Sequence, residues 1–122
     1  MAVNVILADD HIMVRQGLKE LLSRDAGIEI AGEASDGDIA IEQARSLRPD
    51  VVLMDIGMPR MNGIAATRVI HSEFPGMVVI GLSMHAASDH AEEMRNVGAS
   101  AYVSKSEAAE VLAATIHACC RR

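Results

Sequence analysis

Five short apolar runs, each followed by residues at helical spacing, constrain this chain more than any other feature. The third run is the clearest. Val51-Val52-Leu53-Met54 opens on a β-branched pair and stops at Asp55, with Gly57 and Pro59 close behind. Such a run reads as a strand buried on both faces. Asp55 then stands at the carboxyl end of a buried strand, on the rim where open α/β sheets bind ligands.

The other four units follow the same plan. Val3 to Ala8 is a strand-like run ending at Asp9-Asp10, and Val14, Leu18, Leu21 and Leu22 then recur at helical spacing. Ile28 to Ala34 alternates like a strand, Ser35-Asp36-Gly37 turns, and Ile41, Ala44 and Leu47 give a helical stripe stopped by Pro49. After Asp55 a helix starts at Asn62 or Gly63, carries Ile64, Ile70 and Phe74, and ends at Pro75-Gly76. Met77 to Ser83 is the fourth strand, and Ser88 to Val97 is a helix with Ala91, Met94 and Val97 on one face and Gly98 as its cap. Ala101 to Ser104 is a short fifth strand. From Ser106, an expected N-cap, Val111, Leu112, Thr115, Ile116 and Cys119 trace the stripe of a closing helix.

Strands alternating with helices at this spacing imply right-handed crossovers and a parallel sheet covered on both faces. The expected fold is therefore a doubly wound α/β domain of five parallel strands in the order 2-1-3-4-5. That order puts Asp9 and Asp10 beside Asp55 across the switch point between the first and third strands. Three carboxylates in one pocket repel one another unless a cation or protons intervene, and hard oxygen donors suit Mg²⁺. Ser83 after the fourth strand and Lys105 after the fifth bring a hydroxyl and an ammonium to the same rim. These are the parts needed to neutralise a phosphoryl group passing to an Asp nucleophile.

Composition narrows the partners. A chain of 122 residues, half of them apolar, suits one domain with one sizeable core, spanning 1–122. Its 11 Lys and Arg against 17 Asp and Glu give a formal net charge of −6, which disfavours direct DNA binding. Cys119-Cys120 matches neither a disulfide framework nor a zinc site, and a reduced, cytoplasmic setting is expected. The five histidines scatter over different elements, so a metal site built from them is not expected. Met1-Ala2-Val3-Asn4 shows no basic segment followed by an apolar core, and the longest apolar run, Met77 to Leu82, is too short to span a bilayer, so a soluble protein is expected.

Asp9-Asp10, Asp55, Met58-Pro59, Asn62-Gly63, Ser83, Gly98-Ala99, Tyr102 and Lys105 together resemble a bacterial response-regulator receiver domain over the whole chain. The stretches Ala8-Asp9-Asp10-His11, Met54-Asp55-Ile56-Gly57-Met58-Pro59 and Leu82-Ser83-Met84-His85 are most similar to the NarL/FixJ (LuxR-type) subfamily of transcriptional regulators, in which a helix-turn-helix DNA-binding domain follows the receiver. The resemblance implies that Asp55 accepts a phosphoryl group from a sensor histidine kinase. It implies Mg²⁺ held by Asp10, Asp55 and the Gly57 carbonyl, with Asp9 acting through water. Lys105 and Ser83 would contact the phosphoryl group, and Tyr102 would change rotamer as the switch. Gly57 and His85, two beyond Asp55 and Ser83, are positions that tune autodephosphorylation in the family. Ser106 stands where many receivers have Pro, so a trans bond is expected after Lys105.

The resemblance implies a signalling phosphoacceptor, not an enzyme acting on other molecules. It leaves room for a homodimer on phosphorylation, for DNA contact only through a domain outside this chain, and for a stand-alone receiver or phosphorelay intermediate. Simpler readings exist for each residue: acids after strands cap helices, and a lone Tyr can be core with its hydroxyl at the surface. Coincidence at five strand ends favours the site. A haloacid-dehalogenase-type hydrolase would need an acid at position 57, where Gly57 stands. A flavodoxin-like electron carrier would need a phosphate-binding loop where Asp9-Asp10-His11 stands.

Overall fold

The computed structural model describes residues 2–83 and 90–120. The strands are β1 (Val3–Ala8), β2 (Ile28–Ala34), β3 (Val51–Asp55), β4 (Val78–Ser83) and β5 (Ala101–Ser104). The helices are α1 (Ile12–Ser23), α2 (Gly37–Leu47), α3 (Gly63–Glu73), α4 (His90–Asn96) and α5 (Ala108–Cys120). All strand pairs are parallel, in the order β2-β1-β3-β4-β5. The doubly wound arrangement expected from the alternation is the one observed.

Every residue of β3 is buried, and the pleat sends them alternately into two layers. Val52 and Met54 join Ile6, Ala8 and Val79 beneath Ala40, Ile41 and Ala44 of α2, Ala66 and Ile70 of α3, and Met94 of α4. Val51 and Leu53 join Val5, Leu7, Ile80 and Leu82 beneath Leu18 and Leu22 of α1 and Leu112 and Ile116 of α5. Fully burying one such side chain contributes about 1.5–3 kcal/mol, so a strand apolar on both faces has one stable home, the centre of the sheet.

Local chemistry fixes the helix starts around the site. Asp36 caps α2 by accepting from the Ile39 amide at 2.9 Å, and Asn62 caps α3 by accepting from the Ala65 amide at 2.9 Å. Gly63 lets α3 begin hard against β3: a Cβ there would collide with the carbonyl oxygen of Asp55. Gly98, at φ 115°, turns the chain after α4, with its amide donating to Arg95 O at 3.1 Å.

One expected boundary and one expected core position differ. Ser106 does not cap α5. Its hydroxyl pairs with Ser104 Oγ at 2.7 Å, residues 105–107 form a turn, and the helix begins at Ala108. Leu47 lies on the exposed side of the α2 terminus at 47% exposure, because the buried stripe of α2 runs through Gly37, Ala40, Ile41 and Ala44. The Lys105–Ser106 bond is trans, as expected. Cys119 and Cys120 are unbridged and half-buried against the α5 layer. Ser88, the expected start of the fourth helix, lies outside the described residues, as does His85. No helix among the described residues is long and apolar enough to cross a membrane.

Candidate functional site

The site lies at the carboxyl edge of the sheet. Ala8 pairs with Met54, so the residues after β1 come alongside Asp55, and Asp55 in turn pairs with Leu82 one residue before Ser83. Ligand-capable atoms of Asp9, Asp10, His11 and Asp55 all fall within 4.8 Å of one another. The three acids expected to share a pocket do so.

They are not equivalent. Asp9 is 1% exposed and Asp55 5%, whereas the Asp10 side chain is 28% exposed at the rim. Lys105 Nζ sits 2.7 Å from Asp9 Oδ2 and 3.3 Å from Asp55 Oδ1. The Lys105 amide donates to Ser83 O at 2.7 Å, which pins the base of this side chain to the end of β4.

Burial first, and the neighbouring Asp9 charge second, push the Asp55 carboxyl above its ordinary value; Lys105 and the Gly57 amide, 3.4 Å from Oδ1, pull the other way. Burial opposes the Lys105 ammonium. The hydrogen bond to Asp9 and the charges of Asp55 and Asp9 outweigh that penalty and hold it above its ordinary value. Two acids facing one ammonium leave a net negative cleft.

The donor set fits a hard divalent cation. Asp10 Oδ1 is buried and accepts no hydrogen bond from the described residues, the state of an oxygen placed to receive a cation. Gly57 is exposed on the turn after β3, and a Cβ there would meet nothing within 4 Å.

Ser83 is buried at the end of β4, opposite Ser104 of β5. Tyr102 is half-buried, packed over Gly81, where a Cβ would come within 2.7 Å of the ring. Its hydroxyl is not at the surface. The Tyr102 oxygen is buried and has no hydrogen-bond partner among the described residues, which corrects the simple reading of a core ring with an exposed hydroxyl.

Sequence reasoning missed His11, which joins the acids with its Nδ1 3.3 Å from Asp9 Oδ1 and 3.2 Å from Asp10 Oδ1. Its position directly after the acid pair was the available signal. It also missed Arg60, at φ 61°, whose guanidinium lies 3.4 Å from buried Asp36 and ties the loop after β3 to the start of α2.

Comparison with known proteins supplies the family. The response regulator receiver domain model matches residues 5–117. The response regulator UvrY of Escherichia coli (strain K12) is 37% identical over 114 residues, covering 93% of this chain and 52% of that protein. A protein-glutamate methylesterase/protein-glutamine glutaminase of Geobacter metallireducens is 46% identical over 99 residues, 81% of this chain and 28% of its own length. Among solved structures, a LuxR-family two-component response regulator from Aurantimonas sp. SI85-9A1 superposes with a TM-score of 0.93 at 34% identity, covering 98% of this chain and 86% of that one. The chain spans about half the length of the first curated relatives it matches. With its fold, acid cleft and sequence in agreement, the chain belongs to the response-regulator receiver domain family, on its NarL/FixJ (LuxR-type) side.

Proposed function

We propose that this domain is a phosphoacceptor switch in which Asp55 takes a phosphoryl group from a sensor histidine kinase. The single observation that carries this reading is the Lys105 ammonium shared by Asp9 and Asp55 at the mouth of the sheet. A carboxylate nucleophile needs its charge screened while a phosphoryl group, itself anionic, approaches. Lys105 is the side chain placed to do so, and it can follow the phosphoryl oxygens from its present position between the two acids.

Asp10, Asp55 and the Gly57 carbonyl would hold Mg²⁺, with Asp9 acting through water. When bound, the ion supplies charge neutralisation at the phosphoryl oxygens. Asp9 keeps Lys105 in place and leaves Asp55 as the acid with the weaker hold on it. Ser83 would donate its hydroxyl to the phosphoryl group, and Tyr102 would turn with it. The unsatisfied Tyr102 hydroxyl supports this, since a buried oxygen without a partner gains a hydrogen bond by moving. The reaction changes only the domain itself, so no catalysis on other substrates is assigned to it.

In the full-length protein we place a helix-turn-helix DNA-binding domain after this one, with transcription as the output. The names of relatives such as the transcriptional regulatory protein DegU of Brevibacillus brevis support that placement. The chain's net charge of −6 assigns any DNA contact to that second domain and not to this one.

Amide exchange with and without beryllofluoride in Mg²⁺ tests the switch. Protection should change in α4, β5 and α5, because packed elements move between discrete arrangements. An unchanged pattern in these elements would refute it.

A further inference from the structure

Building on the reading of the cleft as a cation site, we propose that His11 is a direct nitrogen donor to the bound cation and shifts the site's preference from Mg²⁺ toward first-row transition ions. Around a six-coordinate ion with bonds of roughly 2.1 Å, donors at right angles lie about 3 Å apart and opposed donors about 4.2 Å apart. His11 Nδ1 is 3.2 Å from Asp10 Oδ1, the spacing of adjacent donors, and 3.3 Å from Asp9 Oδ1, the acid that would reach the ion through water. All four candidate ligand atoms lie within 4.8 Å of one another.

Among the described residues the ring hydrogen-bonds only to Asp9 Oδ1, at 3.3 Å, a member of the same cluster. His11 occupies the N-cap position of α1 but makes no side-chain capping bond. Its backbone is fixed: its amide donates to Asp9 Oδ1 at 2.9 Å and its carbonyl accepts from Arg15 at 3.0 Å. Asp9 turns its other oxygen to Lys105, so Oδ1 and Oδ2 face different partners. Asp10 Oδ1 lies 3.2 Å from the imidazole nitrogen and yet forms no hydrogen bond with it. A cation at this corner would take up the open Asp10 oxygen and replace the contact between Nδ1 and Asp9. The ring is 64% exposed and open to solvent.

Mg²⁺ prefers oxygen and keeps its waters, so it gains little from imidazole. Co²⁺ gains more, because nitrogen donors suit the later divalent ions. The intact chain, His11→Ala and Asp10→Asn should be titrated with Mg²⁺ and with Co²⁺ by calorimetry. Co²⁺ should also be followed by visible absorption and by paramagnetic shifts of the His11 ring protons.

The parent should bind Co²⁺ more tightly than Mg²⁺ and show shifted His11 ring protons. His11→Ala should lose roughly tenfold or more in Co²⁺ affinity and stay within about twofold of the parent for Mg²⁺. Asp10→Asn should weaken both. Unchanged Co²⁺ affinity in His11→Ala, or a parallel loss of Mg²⁺ affinity in that variant, would overturn the assignment of His11 alone, and Asp10→Asn binding both ions as the parent does would overturn the cleft. A parent that binds neither ion would overturn the cleft as a cation site, which is the separate reading beneath it.

Discussion

The closer partner of Lys105 is Asp9, at 2.7 Å, and not the expected phosphoacceptor Asp55, at 3.3 Å. If Asp55 is the phosphoacceptor, the ammonium rests on the acid that is not modified and is not locked to the one that reacts.

Removing that ammonium should be expensive in the metal-free protein. Lys105→Ala leaves buried Asp9 and Asp55 facing each other, and breaking a buried pair costs about 3 kcal/mol, which lowers the melting temperature of a domain this size by roughly 10 °C. Mg²⁺ should recover more of this loss in the variant than it adds to the parent, because it restores positive charge to the same cleft. Thermal unfolding with and without Mg²⁺ reads both effects. A variant as stable as the parent would show that the pair contributes nothing.

Asp9 and Asp10 should part company on substitution. Asp10→Asn removes a half-exposed charge from a repulsive cluster, so the metal-free variant should melt no lower than the parent while its response to Mg²⁺ shrinks. Asp9→Asn strips Lys105 of its closer partner and should melt lower. In the parent, Mg²⁺ at about ten times its dissociation constant adds roughly 1.4 kcal/mol, a rise of about 3–6 °C, and NaCl at matched ionic strength should give less. An Asp10→Asn protein that melts lower without metal, or keeps the full Mg²⁺ rise, would mark Asp10 as structural.

Gly63 sets the distance between α3 and the backbone of Asp55, the proposed phosphoacceptor. Gly63→Ala drives a methyl group into the Asp55 carbonyl, and forced overpacking of this kind costs about 1–3 kcal/mol. The clash falls on Asp55 itself. The variant should therefore lose phosphate uptake at temperatures where circular dichroism still reports a folded protein. Uptake equal to the parent's would show that α3 can recoil without disturbing β3.

Far from the cleft, Asp25 joins the turn after α1 to α5. Its carboxylate accepts from the Gly27 amide at 2.8 Å and contacts His117 Nε2 at 3.0 Å, and these two bonds lower its pKa from 3.8. A carboxylate with a lowered folded-state value adds stability above its unfolded value, and that stability is lost as pH falls through the folded value. Asp25→Asn should thus melt lower than the parent near pH 6, with the gap closing in acid below about pH 4. A gap that stays constant with pH would assign the effect to packing.

Sequence periodicity revealed β3 and Asp55 because a strand buried on both faces leaves no polar position to blur its limits, and the acid marks where burial ends. The strand order is the usual one for a five-stranded doubly wound sheet, and the alternation of strands and helices pointed to that class. The start of α5 was hidden, since Ser106 has the chemistry of a cap but its hydroxyl is taken by Ser104, two residues earlier at the end of β5. Leu47 fitted the α2 stripe by spacing, yet at the last turn the helix has run past the core that covers Ala44. Counting histidines over the whole chain hid His11, whose significance lies in its contacts with the two acids before it. The Lys105–Asp9 pair joins the ends of β5 and β1 across two intervening strands, a contact that depends on the reach of one side chain.

Phosphate uptake at Asp55 is measured most directly by intact mass and peptide mapping after incubation with acetyl phosphate and Mg²⁺. One phosphoryl group should appear per chain, map to Asp55, and be released by hydroxylamine, as an acyl phosphate is; Asp55→Asn should take up none. Undiminished labelling of Asp55→Asn, or a label that maps elsewhere and resists hydroxylamine, would contradict Asp55 as the phosphoacceptor.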